Sequence, residues 1–299
     1  MAGLAFCEDT GRSSQTLMTS HQPDMNTNTH PLIAFIGGGN MASALLGGLL
    51  NQGHPASALL VVEPWDEQRQ RLVQQFPGIS VAASADTAVQ AAQLVVWAVK
   101  PQMFQQAATQ VRPFLGDCLH LSVAAGITTD SMSRWLGSSR IVRAMPNTPA
   151  LVGLGMTGLF ARPGVSEAER AQVATLIQGT GDAVWVETEA QLDAVTALSG
   201  SGPAYVFYFL EAMRDAGSQM GLPPEVAQQL AVGTFKGAAT LAQRSSEPLQ
   251  TLRERVTSKG GTTYAALTAL QQAGVKAQFE AAMWAAQQRA EALGREFGG

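Results

Sequence analysis

Leu32-Ile33-Ala34-Phe35-Ile36-Gly37-Gly38-Gly39-Asn40-Met41-Ala42 reads as a strand, a glycine turn and the start of a helix. The unbroken apolar run fits a strand buried on both faces, and the apolar repeat over 41–52 fits a helix. Between them the turn matches G-x-G-x-x-A through Gly37, Gly39 and Ala42. In this setting Gly37 permits the tight turn, Gly39 lets backbone come close to a pyrophosphate, and Ala42 lets helix and strand pack closely. The bare amides and dipole of a helix start favour an anion. Ile36, Gly37, Gly38, Gly39, Asn40 and Met41 are therefore the candidate cradle of a dinucleotide.

Downstream, apolar runs at 58–62, 94–99, 120–123 and 141–145 are followed by two more at 156–160 and 183–186. Helical segments are expected at 66–76 and 103–111. Strand–helix alternation at this spacing predicts a mainly parallel sheet with helices on both faces. The later strands, less separated by helices, are expected to form a mixed or antiparallel edge. The second strand ends at Val62-Glu63-Pro64. An acid there suits the adenine ribose 2′-hydroxyl and repels a 2′-phosphate, which leans the cofactor toward NADH rather than NADPH. Arg69 and Arg71 are competing phosphate ligands, and a plain cap on the next helix is the competing role for Glu63. Lys100 follows the run 94–99 and so emerges at the carboxyl end of a strand, where such sheets bind ligands; an exposed turn residue before Pro101 is the competing reading. Asn147 and Thr148, in Met145-Pro146-Asn147-Thr148-Pro149, stand at another strand end; they could bond a carboxamide or simply form a rigid turn.

From about residue 187 the strand signal stops. Helices are expected over 191–198, 203–220, 223–243, 249–256, 262–272 and 276–297, punctuated by Ser201-Gly202-Pro203, Gly221-Leu222-Pro223-Pro224, Glu247-Pro248 and Gly260-Gly261. The domain plan is a disordered extension over 1–30, a dinucleotide-binding domain over 31–188 and an all-helical domain over 189–299. Helices rich in Ala, Leu and Met with few charges suggest faces buried against another subunit. Inside this half, Val256-Thr257-Ser258-Lys259-Gly260-Gly261-Thr262-Thr263 breaks two helices with glycines, hydroxyls and free amides. It is a second anion cradle, suited to a small acidic substrate. An ordinary interhelical turn with Thr262 as N-cap is the competing reading.

Composition narrows the chemistry. The chain has 299 residues, 46% hydrophobic and 14% charged, with a formal charge of −4, which leaves no nucleic-acid footprint. Cys7 and Cys118 are too few for a disulfide framework and fit a reducing cytoplasm. His21, His30, His54 and His120 show no metal-ligand spacing, so neither a metal nor a histidine triad is expected. Ser201 lacks the G-x-S-x-G setting of a hydrolase nucleophile. Residues 1–30 lack the pattern of a signal or transit peptide, and Met25 is an alternative initiator. No apolar run is long enough for a membrane span.

Taken in order, Phe35 to Ala42, Ala98-Val99-Lys100-Pro101, Ala124-Ala125-Gly126, Met145 to Pro149, Leu198-Ser199-Gly200-Ser201-Gly202-Pro203-Ala204-Tyr205 and Val256 to Thr263 resemble pyrroline-5-carboxylate reductase from about Leu32 onward. The resemblance implies a Rossmann-type doubly wound domain followed by an all-α dimerisation domain, and homodimers, which in the family often assemble further into decamers. It implies hydride transfer from NADPH or NADH to the C=N carbon of 1-pyrroline-5-carboxylate, giving proline. It places Val99, Lys100, Ala125, Gly126, Asn147 and Thr148 at the cofactor, and Glu189, Ser258, Gly260, Gly261, Thr262 and Thr263 at the substrate. Thr263 would act on the ring nitrogen directly or through water. It also implies that the helical domain of one subunit completes the site of another. Two departures stand out: Lys259 where relatives usually carry proline, and Ala85 where many carry asparagine. The other readings are a hydroxy-acid dehydrogenase of related architecture and a non-catalytic NAD(H) sensor.

Overall fold

The computed structural model describes residues 30–298. The expectations for residues 1–29, including the extension, Cys7, His21 and Met25, lie outside the described residues. Eight strands form one sheet in the order β3-β2-β1-β4-β5-β6-β7-β8. They are β1 Ile33–Ile36, β2 Leu59–Val62, β3 Ser80–Ala82, β4 Leu94–Trp97, β5 Leu119–Ser122, β6 Ile141–Met145, β7 Gly155–Ala161 and β8 Gly181–Trp185. Strands β1, β2, β4 and β5 are buried at every residue, as parallel strands covered on both faces must be. Pairing is parallel through β6, turns antiparallel between β6 and β7, and is parallel again between β7 and β8.

Alternate residues of each strand feed two separate cores. Ile33 and Phe35 join Leu45, Leu46, Leu72 and Ile177 on one face. Ala34 and Ile36 join Phe104, Ala108, Met132 and Leu136 on the other. Helices α1 Asn40–Asn51, α2 Asp66–Gln75 and α5 Glu167–Gln178 thus cover the first face, and α3 Phe104–Val111 and α4 Thr129–Leu136 the second. Helix α1 comes so close to the end of α5 that a Cβ on Gly48 would lie 2.7 Å from the Gly179 carbonyl.

Three elements depart from the sequence expectation. Strand β3, helix α4 and helix α5 were all unanticipated, and α4 and α5 overturn the expectation that the later strands are little separated by helices. Helix α5 had a readable signal: Ser166 and Glu169 form a capping box. Helix α4 is short and rich in Ser and Thr, poor helix formers, and depends on the Thr128 side chain accepting from Ser131 N. The mixed edge, by contrast, is present at β6–β8.

The helical half runs through α6 Gln191–Val195, a π turn over Thr196–Gly200, α7 Gly202–Gln219, α8 Pro224–Arg244, α9 Leu249–Arg255, α10 Thr262–Gln272 and α11 Val275–Phe297. It has little core of its own. Helix α7 buries no residue and α8 only Ala227 and Ala231, while Phe207, Tyr208, Leu230, Leu241 and Trp284 stand exposed. Such an apolar face marks a surface meant to be covered. No helix among the described residues is long and apolar enough to cross a membrane.

Under the second core, Trp97 Nε1 donates to Nδ1 of His120 at 3.3 Å, and Cys118 Sγ lies 3.8 Å from the same ring. Burial, aided by the Arg140 guanidinium, pushes His120 down to about 4, while burial pushes the Cys118 thiol up to about 11. The pair is therefore neutral and unreactive at pH 7. The unfolded chain binds the His120 proton first as pH drops below 6.5, so this residue's stabilisation is full above that value and is lost toward about pH 4. Wild type should lose stability over this window by about 1.4 kcal/mol per pH unit more than His120→Gln, read by urea unfolding at a series of pH values.

Candidate active site

The glycine turn is fixed from below by backbone contacts. Gly37 has φ +95°, and a Cβ there would lie 2.7 Å from the Ala98 carbonyl oxygen and 3.1 Å from Val99 Cγ1. Its amide donates to Val62 O at 2.9 Å. Gly38 donates to Glu63 Oε2 at 2.8 Å, its carbonyl accepts from Gln68 Nε2 at 2.7 Å, and a Cβ would overlap Leu72. Gly39 is different. It is the N-cap of α1 with no capping side chain, and open space surrounds its absent Cβ. Asn40 is exposed, Met41 half-buried and Ala42 fully buried against the sheet. A diphosphate fits this cradle: room at Gly39 and helix-start amides that no side chain satisfies.

Glu63 is 8% exposed, and its other oxygen accepts from Trp65 N at 3.0 Å. Arg69 is turned back on the chain, donating to Glu63 O, Pro64 O and Asp66, and Arg71 faces Glu67 at 3.9 Å. Arg69 is thus engaged by an acid and two carbonyls, whereas the Arg71 side chain is largely exposed. Gln68 and Leu72, which shape the turn from α2, were not picked out in the sequence, where nothing distinguishes them from other helix residues.

Val99 and Lys100 follow β4, Val99 beside the glycine turn and Lys100 exposed. Ala125 and Gly126 follow β5. Gly126 has φ +76°, and a Cβ there would lie 3.3 Å from Gly294 N of α11, so the last helix rests directly on this loop. Nearby, the carbonyl of Gly298 accepts from Ser131 Oγ and Arg134. After β6, Asn147 is buried and both ends of its amide are used: Nδ2 donates to Ser199 O at 3.1 Å, and Oδ1 accepts from Met156 N at 2.9 Å. It ties the strand end to the π turn, a helix irregularity frequent at functional sites. Thr148 beside it is exposed.

Glu189 is half-buried and fully engaged. Its carboxylate accepts from Thr129 N at 2.7 Å, Thr129 Oγ1 at 2.6 Å and Arg143 at 3.1 Å, at the N-terminus of α4. Arg143, whose side chain is 5% exposed, also faces Asp193 at 3.8 Å. Burial raises the Asp193 carboxyl, and Arg143 opposes that rise. The cluster joins β6 and α4 to the first helix of the helical half.

The second cradle lies on α10. Gly260 has φ +72°, and Gly261 rather than Thr262 is the N-cap, again with no capping side chain. A Cβ on Gly261 would lie 2.5 Å from Ser258 Oγ, so the serine seats the turn. Ser258, Lys259, Gly260 and Thr262 are exposed and Thr263 half-buried. Helix α10 buries no residue and packs lightly on α11. Within one chain the cofactor candidates 36–41, 63, 99, 100, 125, 126, 147 and 148 gather along one end of the sheet, while 258–263 sit on the helical half.

Arg143→Ala would leave Glu189 and Asp193 without their cation. A loss of about 3–5 kcal/mol is expected by urea unfolding, with Arg143→Lys losing less.

Residues 189–293 match the family model described as pyrroline-5-carboxylate reductase dimerisation, and residues 32–126 match one described as NADP oxidoreductase, coenzyme F420-dependent. The pyrroline-5-carboxylate reductase of Pseudomonas aeruginosa is 46% identical over 270 residues, which cover 90% of this chain and 98% of the relative. A solved pyrroline-5-carboxylate reductase from Coxiella burnetii is 36% identical with TM-score 0.83, covering 88% of this chain and 98% of its own. The Plasmodium falciparum enzyme, solved with NADP bound, is 29% identical with TM-score 0.79, covering 89% of this chain and 98% of its own. With the glycine cradle on the sheet and an uncovered helical half behind it, the chain belongs to the pyrroline-5-carboxylate reductase family, NAD(P)H-dependent homo-oligomeric enzymes that reduce the C=N bond of 1-pyrroline-5-carboxylate to make proline.

Proposed function

We propose that this chain divides its reaction between two helix starts without capping side chains, α1 for the cofactor and α10 for the substrate. The observation that carries this reading is the glycine N-cap at each, Gly39 and Gly261, with amides left for an outside anion. The cofactor supplies a hydride from its nicotinamide. Gly37 to Met41 hold its pyrophosphate, Glu63 its adenine ribose, and Val99, Lys100, Ala125, Gly126, Asn147 and Thr148 line the path to the nicotinamide end. Gly260 to Thr263 hold the substrate carboxylate, with Ser258 seating the turn. A protonated imine is already a good electrophile, so positioning matters more than strong acid–base chemistry. Thr263 then orients or relays the proton at the ring nitrogen. Glu189, engaged by Thr129 and Arg143, acts on this site by fixing the junction of 31–188 with 189–299.

Because α10 packs on α11 and the faces of α7 and α8 lie open, a second copy of the chain completes each site. The homodimer is the minimal unit that buries these faces, and a decamer would be five of them. The buried free thiol of Cys118 fits a cytoplasmic enzyme. Lys259, exposed beside Gly260, adds a positive charge at the mouth of the substrate cradle.

Thr263→Ala should fold normally and lower kcat on the order of 100-fold, the low end for a lost proton-handling group, with Thr263→Ser largely active. Loss of NADH absorbance with 1-pyrroline-5-carboxylate reads both. Undiminished turnover in Thr263→Ala would remove the threonine from the mechanism.

Glu63 opposes a 2′-phosphate, so NADH is the preferred donor. Glu63→Gln keeps an acceptor for the Gly38 amide, gives up the one for the Trp65 amide and removes the charge. The ratio of kcat/KM for NADPH over NADH should rise roughly tenfold or more, the effect of removing about 1.4 kcal/mol of repulsion.

A further inference from the structure

We infer that Trp65 is the platform on which the adenine of the dinucleotide stacks. The inference rests on the dinucleotide reading of the glycine cradle and goes beyond it to the far end of the cofactor. Along the cofactor the order is pyrophosphate, ribose, adenine. With the pyrophosphate over Gly39 and the ribose at Glu63, the adenine must lie beyond Glu63, at the carboxyl ends of β2 and β3. There β2 and β3 run in parallel register, with Val62 opposite Ala82, so the chain after one passes beside the chain after the other. Pro64 and Trp65 form the β2 side of that place.

Trp65 is 75% exposed, and nothing among the described residues accounts for it. It belongs to neither core, and as the N-cap of α2 it offers no capping hydrogen bond. Trp97, by contrast, is fully buried, and the exposed Trp284 lies on α11 in the half that a second copy covers. The root of Trp65 is nevertheless rigid. Its amide donates to Glu63 Oε1 at 3.0 Å and its carbonyl accepts from Arg69 N at 3.0 Å. The carboxylate that reads the ribose thus also fixes where the indole begins. A large flat apolar group, held at its base and left uncovered at a nucleotide end, has the chemistry of a purine stacking surface. It is sequence-tolerant toward bases and adds affinity without touching the reacting atoms, which separates it from Glu63, whose task is the 2′ position.

The test is binding of ADP-ribose, which carries adenine, ribose and pyrophosphate but no nicotinamide. Affinity is measured by calorimetry and by quenching of tryptophan emission, on wild type, Trp65→Phe and Trp65→Ala. Stacking on an aromatic ring predicts that Trp65→Ala binds on the order of tenfold more weakly, that Trp65→Phe stays within about twofold of wild type, and that Trp65→Phe loses most of the quench. In turnover the loss in Trp65→Ala should fall on KM for NADH and not on kcat. Equal affinity of wild type and Trp65→Ala would overturn the platform, as would a Trp65→Phe as weak as Trp65→Ala. If wild type oxidises NADH yet does not bind ADP-ribose, the platform fails and the dinucleotide reading stands. If it does neither, both fail.

Discussion

One buried carboxylate sets the geometry of the cofactor end. Glu63 receives the amide of Gly38 on one oxygen and the amide of Trp65 on the other. A carboxylate in so enclosed a place needs such partners, since burial without them costs several kcal/mol. The glycine turn, the end of β2 and the start of α2 are thereby locked as one piece, with Gln68 and Leu72 closing it from the helix side. Gly38 has no freedom to become anything larger because Leu72 already occupies the space. What remains open is the surface above Gly39, so the cradle is rigid below and accessible above.

Much of this was legible in the sequence because local pattern and tertiary role coincide there. Strands β1, β2, β4 and β5 are apolar throughout because they are covered on both sides, and a run of that kind is hard to misread. The helices of the second half announce themselves by their breakers, and from α7 onward each observed end lies within one residue of the expected one, while α6 stops at Val195, three residues short of 198, where the π turn begins. Where propensity and context part, reading failed. Ser80-Val81-Ala82 is too short and too exposed to signal a strand, and α4 owes its existence to Thr128 and to packing by Met132 and Leu136. The partners of Glu189 lie 46 and 60 residues away in the chain, and no local rule reaches that far. Asn147 is similar: its turn was evident, but that its amide clamps Ser199 and Met156 depends on segments that only the tertiary fold brings together.

The two cradles express a division of labour in the fold. The sheet domain is complete in itself, with two closed cores and helices on both faces. The helical half is not. Its longest helices show apolar side chains to solvent, and the small residues Ala227 and Ala231 are the buried positions of α8. A domain built this way gains its stability by association, and the family's dimerisation model spans this same region. The proposed active site, which draws on both halves, would inherit a dependence on protein concentration that the sheet domain does not have.

The contact between Gly126 and Gly294 carries a consequence for how such a chain can change over generations. One glycine lies in a loop after β5 and the other on the last helix, and each fills the space a side chain on the other would need. Neither position can drift toward a larger residue independently. A Cβ on Gly126 would lie 3.3 Å from Gly294 N, and one on Gly294 would lie 3.2 Å from Gly126 O, so either change needs the loop or the end of α11 to give way slightly. A substitution in the loop after β5 and one on the last helix are thus coupled, although 168 positions of sequence separate the two residues.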